Sequence, residues 1–179
     1  MPPRHARDCA EVLVLADERG YEGNGTMQLP TYVRHLRAGE LTAAATIRRQ
    51  TRGSVMVVDG GGALGHVVAR QAFRWAITAA KRRGVAVGIT HSHGYTGVLG
   101  VYVRQAARQG MLALYLQTTQ PFLGVPGSGR RLIGNNPIAF SCPVQANSRW
   151  SWTCHAASAR WAGSEWPLQK VARSHLTGL

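Results

Sequence analysis

The sequence predicts an α/β fold, and three observations predict it. An apolar run over residues 55–58 meets Asp59 and three glycines. A long helical pattern then ends at Gly84, and a second β-rich run over 85–89 follows. Together these form a βαβ-like unit, the part of the chain around which the rest is organised. At 179 residues and 45% hydrophobic, the chain is long enough to bury one sizeable core and too apolar to be disordered.

The elements read in order as follows. Over 5–19 the apolar positions Cys9, Val12, Leu13, Leu15 and Ala16 fall on one helical face, and Gly20 stops the helix. Residues 21–28, with glycines around Asn24, form a loop. Pro30 opens a second helix over 31–38, where its missing N–H costs little, and Gly39 ends it. Residues 40–53 connect to the βαβ-like unit, partly extended. The helix between Leu64 and Arg83 carries Leu64, Val68, Ala72, Trp75, Ala76 and Ala79 on one stripe. After a helix over 98–109, the strand over 111–117 is expected to line one buried face with Leu112, Leu114 and Leu116. A Gly- and Pro-rich loop leads to a last strand around Ile138, Ala139 and Phe140. Beyond Val144 the character changes: residues 145–179 hold four of the five tryptophans and a single acid, Glu165, with no period that assigns them to a fold.

The formal net charge is +13, and only Lys81 and Lys170 are lysines. Such a balance makes a polyanion a partner to weigh. The arginines are nevertheless scattered, as in Arg70/Arg74 and Arg104/Arg108, mostly where a helix faces solvent, and no nucleic-acid signature accompanies them, so nucleic acid is not the expected partner. Cys9, Cys142 and Cys154 are odd in number with no C-x-x-C, which argues against disulfides and thiolate metal sites and fits a reducing cytoplasm. No run approaches the roughly 18 apolar residues of a membrane span, and the N-terminus has no export signal.

Gly60, Gly62 and Gly65 form a G-x-G-x-x-G between strand and helix, the context of a dinucleotide phosphate loop. That fingerprint also needs an acid about 20 residues later, whereas no Asp or Glu lies between Asp59 and Glu165. Lys81, Arg82 and Arg83 could favour a 2′-phosphate instead. The alternative is a glycine turn that lets strand and helix pack closely. His91, Ser92, His93, Gly94 and Tyr95 follow the second strand, where ligands collect in α/β folds, and a histidine there can move a proton. His91 and His93 lack a neighbouring carboxylate or cysteine, so no metal is expected. A Ser92, His93, Asp59 triad is disfavoured because no serine sits in G-x-S-x-G. Asn135 and Asn136 offer amides for a nicotinamide or ribose, or form an ordinary Asn-Pro turn.

Five motifs in order carry a resemblance: Leu15-Ala16-Asp17-x-x-Gly20, Leu29-Pro30-x-Tyr32-Val33, Val58-Asp59-Gly60, Gly94-Tyr95-Thr96-Gly97-x-x-Gly100-x-Tyr102, and Gly134-Asn135-Asn136-Pro137-Ile138-Ala139. Over about residues 5–144 the chain resembles the second type of malate/L-lactate dehydrogenase family. The resemblance implies a non-Rossmann α/β fold, incomplete here because family members are much longer. It also implies a dimer, a small 2-hydroxy or 2-oxo acid substrate, and NAD or NADP as cofactor. It places Asn24 and Gln28 at the family's catalytic His and Arg, and Tyr95 at a motif histidine for which His93 is the alternative proton-handling group. Gly97, Thr118, Thr119 and Asn136 are implied cofactor contacts.

The expected organisation is an N-terminal helical segment with the altered catalytic loop (1–53), an α/β core with cofactor-facing loops (54–144), and an unassigned tail (145–179) from truncation or a shifted frame. Three functional readings follow: a NAD(P)-dependent 2-hydroxy-acid dehydrogenase, a catalytically inactive fragment of that family, and a polyanion-binding basic protein.

Overall fold

The computed structural model describes residues 1–121, 123, 124, 127, 129–143 and 149–155. Most of the 145–179 tail therefore lies outside the described residues. The elements are α1 (Pro3–Asp17), α2 (Leu29–Arg37), β1 (Arg48–Arg52), β2 (Val55–Ala63), α3 (Gly65–Arg83), β3 (Val87–His93), α4 (Leu99–Ala107), β4 (Ala113–Leu116), β5 (Pro137–Pro143) and β6 (Arg149–His155). One sheet has the order β1-β2-β3, with β1 antiparallel and β3 parallel to β2. The parallel pair needs a crossover, and α3 supplies it. The second sheet, β4-β5-β6, is antiparallel throughout. β6 lies in the tail that showed no period, and pairs with β5 from Pro137↔His155 to Pro143↔Arg149. Among the described residues, no helix is long and apolar enough to cross a membrane.

Helix α1 buries Cys9, Val12, Leu13 and Ala16. Val12 and Ala16 pack with Ala69 of α3 and with Val98, Val101 and Tyr102 at α4. Cys9 and Leu13 pack with Tyr32, Leu64 and Val67. In β2 the alternation buries Met56 and Val58 against Val68 and Ala72 of α3, leaving Val55 and Val57 outside. Leu99 and Val103 of α4 meet Ala139 of β5, and α4 packs in turn on α3, which covers the first sheet. The Ser141 hydroxyl, fully buried, donates to the Val103 carbonyl at 2.6 Å across that seam. Ser141→Ala is expected to cost about 1 kcal/mol, the net worth of one such bond, readable as a shift in urea midpoint. No change would mean the seam is held by packing alone.

Four expectations are corrected. The strand expected over 85–89 starts at Val87 and runs to His93, so the histidines occupy its end and not a following loop. The triple glycine is no turn: β2 continues through it as far as Ala63, with a register shift between Asp59 and Ala63. Leu112, Leu114 and Leu116 do not line a buried face; they are 73%, 57% and 61% exposed, because nothing in the described chain covers the outer side of β4. Arg70 and Arg74 do not simply face solvent. Arg74 makes a two-pronged pair to the buried Asp8 at 2.7 and 2.8 Å, and the Arg70 side chain, 13% exposed, bridges Asp8 at 3.5 Å and contacts Glu11.

The glycine segment shows why the phosphate-loop reading fails. A Cβ on Gly61, at φ +56°, would lie 2.8 Å from the Thr46 carbonyl oxygen, and one on Gly60 would lie 2.8 Å from both His93 Cβ and the Ser92 carbonyl oxygen. At Gly65 a Cβ would overlap the Gly94 and Tyr95 carbonyl oxygens. The space a pyrophosphate would need is filled by this chain's own backbone. These glycines let β2, β3 and α3 approach one another.

Candidate active site

The polar groups at the end of β3 fall into two sets. In the first, α1 and the loop after it hold Asn24 against Tyr95. Asp17, at the end of α1, accepts from the Thr26 N–H at 3.2 and 3.0 Å and from its hydroxyl at 2.6 Å, which pins the loop. Gly25 is required there, since a Cβ would collide with the Asp17 carboxylate. The two short 3-10 turns Glu22–Asn24 and Thr26–Gln28 thereby present Asn24, and the Tyr95 hydroxyl donates to its Oδ1 at 2.7 Å. Burial raises the Tyr95 phenol above its ordinary pKa, so it is a proton donor at neutral pH. Gln28 turns inward, its Nε2 donating to the Gly23 carbonyl at 2.7 Å. A neutral amide so engaged provides no charged fork for a carboxylate.

The second set lines a groove of about 860 Å³ between β3, α3 and β4. Most of its wall is apolar, while Thr90, His93, Gln117, Thr118 and Asn136 make one polar end. His93 is fully engaged there. Its Nδ1 lies 2.8 Å from the Gly94 carbonyl oxygen and its Nε2 2.9 Å from the Thr90 hydroxyl. The tautomer that satisfies both carries the proton on Nδ1 and accepts from Thr90 at Nε2. Thr119 is tied to the asparagine turn: its N–H donates to Asn136 Oδ1 at 3.0 Å and its hydroxyl to Asn135 Oδ1 at 3.1 Å. Asn136 has a positive φ of 36°.

Thr96 joins the sets. Its hydroxyl donates to Gln117 Oε1 at 2.6 Å, and its carbonyl accepts from the buried Tyr102 hydroxyl. The loop after Tyr95 is therefore fastened to the residues leading into Thr118. Gly97, with φ +77°, passes directly over the buried His66 ring, where a Cβ would stand 3.0 Å from Nε2. Thus Tyr95 meets Asn24, while His93 shares the groove with Thr118 and Asn136. The hydrogen bonds that hold His93 run to Thr90 and Gly94, not to Tyr95 or Asn24.

His91 sits beside Asp59 and Ser92, but both face one nitrogen. Its Nδ1 is 3.8 Å from Asp59 Oδ1 and 2.9 Å from Ser92 Oγ. A relay needs both ring nitrogens, one for each partner. Asp59 is held below its usual range first by the Gly61 N–H at 3.1 Å, with Ser92 and His91 adding to the effect. Among the described residues, no group of three or more His, Cys, Asp or Glu could hold a metal ion.

Sequence reasoning named Asp17 and Thr96 as motif residues without seeing their anchoring roles, and passed over Gln117 and His66. The first three act by fixing other residues, and a polar residue that anchors a distant loop leaves no local period. His66 follows Gly65 at the start of α3, where it reads as one more helical residue.

The sequence profile of malate/L-lactate dehydrogenases matches residues 1–160. The malate dehydrogenase of Pyrococcus horikoshii is 32% identical over 146 residues, which is 81% of this chain and 41% of that protein. Its solved structure superposes with a TM-score of 0.79 at 30% identity, covering 86% of this chain and 44% of that one. The (2R)-3-sulfolactate dehydrogenase (NADP(+)) of Chromohalobacter salexigens is 34% identical over 144 residues, 80% of this chain and 43% of that protein. The ureidoglycolate dehydrogenase (NAD(+)) of Escherichia coli K12 is 31% identical over 144 residues, 80% of this chain and 41% of that protein. The chain thus spans about two fifths of the length of the relatives it matches.

Proposed function

Since this chain belongs to the malate/L-lactate dehydrogenase family, matched over residues 1–160, we propose that it supplies the first-half wall of a nicotinamide-dependent 2-hydroxy-acid dehydrogenase site. The Tyr95–Asn24 hydrogen bond carries this reading. It joins, across 71 residues, two positions that the resemblance assigns to motif histidines, and it puts a protonated phenol there.

A nicotinamide cofactor fits the residues present. The groove is within the size range of small-ligand sites, mostly apolar with a few convergent polar groups at one end. Thr118 and Asn136 would hold the cofactor at that end, with Thr119 and Gly97 shaping the approach. When bound, the nicotinamide supplies or accepts the hydride. In the reducing direction Tyr95 would turn its one proton from Asn24 Oδ1 to the carbonyl oxygen of a 2-oxo acid, and the phenolate left behind would take a proton back from water. His93, with both nitrogens engaged, positions the end of β3. The relatives' names include both an NAD(+) and an NADP(+) enzyme, and this chain follows one of those two specificities. A cytoplasmic dimer completes the reading.

The second reading, a catalytically inactive member, is favoured by Asn24 and Gln28. An amide neither gives nor takes a proton near neutral pH, and Gln28 is folded onto its own loop. The polyanion reading loses support from Arg70 and Arg74, whose charge Asp8 and Glu11 offset.

Turnover tests the reading. NADH and NADPH oxidation over a panel of 2-oxo acids should drop at least tenfold in kcat for Tyr95→Phe with KM nearly unchanged, and the double change Asn24→His with Gln28→Arg should raise activity. Activity at background in all three folded proteins would favour the inactive member.

A further inference from the structure

A second groove, of about 740 Å³, lies between α1 and α3 with Arg49 of β1 beside it, and shares no lining residue with the groove at β3. Its volume is within the range of small-ligand sites. Five arginines line it against two carboxylates, so three positive charges there lack an acidic counterpart. Asp8 and Glu11 pair with Arg70 and Arg74. Arg4, Arg7 and Arg49 have no acid within ion-pair distance among the described residues, although α1 and β1 bring them to one wall. Like charges gathered in a concavity repel one another and focus a field that attracts anions. The Arg74 guanidinium uses two of its five N–H donors on Asp8, so even this paired arginine can still donate. The first turn of α1, which contributes Pro3 and Arg4 to the wall, has neither a side-chain cap nor an acid, so the positive end of the helix dipole adds to the same field. Half-buried Trp75 completes the wall beside the arginines.

We propose that this groove is a binding site for a nucleoside diphosphate, with Arg4, Arg7 and Arg49 holding the phosphates and Trp75 carrying the base. The planar guanidinium fork matches phosphate oxygens two at a time. A nucleoside diphosphate carries about three negative charges near neutral pH, because its terminal phosphate loses a second proton near pH 6. That charge equals the excess on the wall. An aromatic ring takes a base by stacking, whatever the base, because every base has a π-face. A strand of nucleic acid would call for aromatic platforms at successive bases. Trp75 is the one aromatic residue among the described lining residues, which suits a single nucleotide.

The site stands apart from the cofactor reading, and calorimetric titration of the full chain with ADP at pH 7 tests it. Binding should be saturable. Arg7→Gln and Arg49→Gln, both at exposed positions, should each weaken it about tenfold or more. Arg108→Gln, an exposed arginine outside the groove, should change it less than about twofold, since distant surface charge is screened. Inorganic pyrophosphate, which has no base, should bind about tenfold more weakly than ADP, and Trp75→Leu should abolish that difference. Asn136→Asp, in the other groove, should leave ADP binding unchanged. Absence of saturable binding overturns the proposal, as does weakening by Arg108→Gln equal to that by Arg7→Gln, which would show attraction by overall charge. Equal affinity for pyrophosphate and ADP, or a preference for ADP that survives Trp75→Leu, overturns it as well. Weakening by Asn136→Asp would put ADP in the cofactor groove and overturn it too.

Discussion

Acidification from pH 7 to about 4 is expected to cost this protein about 3 kcal/mol through the imidazole of His66. The ring is fully buried, packs edge-on to Tyr32 at a centroid distance of 5.0 Å, and has no hydrogen-bond partner on either nitrogen among the described residues. Desolvation pushes its pKa down from 6.5 to about 4. A histidine held neutral in the folded state is protonated more readily once unfolded. Its contribution is therefore complete above pH 6.5 and is lost progressively as pH falls towards 4. A shift of that size, at about 1.4 kcal/mol per pKa unit, gives the figure above. His5, also buried, is lowered first by desolvation and then by Arg4, and adds in the same direction. Against a typical domain stability of about 5–15 kcal/mol this is a large fraction. Urea midpoints measured at pH 7 and pH 4.5 should differ markedly in the natural protein and much less in His66→Leu. Equal pH dependence in the two would show that His66 does not titrate on unfolding.

The second large effect is electrostatic. Asp8→Ala is expected to destabilise by roughly 3 kcal/mol, the lower end of what breaking a buried ion pair costs. Burial alone would raise the Asp8 pKa; the hydrogen bonds and charge of Arg74, with Arg70 behind it, overcome that and hold the carboxyl below its usual range. Removing it takes one of two acidic partners from the largely buried Arg70, which keeps Glu11, while the half-exposed Arg74 can return to water, which is why the loss stays at the low end. Glu11→Ala, at a more exposed position, should change stability by less than about 1 kcal/mol. Comparable midpoint shifts for the two variants would mean the Asp8 pair contributes no more than a surface bridge.

Much of the fold was legible because its signals are local. The α1 face of Cys9, Val12, Leu13 and Ala16 follows from helical period, and the end of α3 at Gly84 from glycine alone, whereas α4 stops at Ala107, ahead of Gly110. The unread parts depend on tertiary partners. Leu112, Leu114 and Leu116 alternate as a core strand does, but exposure is decided by what lies opposite β4. The glycines at 60–65 matched a phosphate fingerprint, and only the approach of Thr46, Ser92 and Tyr95 shows that the chain itself fills the space. Strand β6 escaped notice although Trp150, Ser151, Trp152 and Thr153 alternate apolar and polar residues. At the site, sequence identified Asn24 and Tyr95 separately by their places in motifs. Their contact depends on Asp17 fixing a loop nine residues away, a relation no periodicity encodes.

The central claim is that the polar end of the β3–β4 groove is half of a nicotinamide site, and cofactor binding tests it most directly. Fluorescence titration of the full chain with NADH and with NADPH should give saturable binding to at least one of them. Asn136→Asp keeps the acceptor that holds the Thr119 N–H but adds a negative charge at the polar end of the groove, which disfavours an anionic dinucleotide; it should weaken binding about tenfold or more at an unchanged thermal midpoint. Absence of saturable binding to either cofactor, or binding unaltered by Asn136→Asp, would contradict the account.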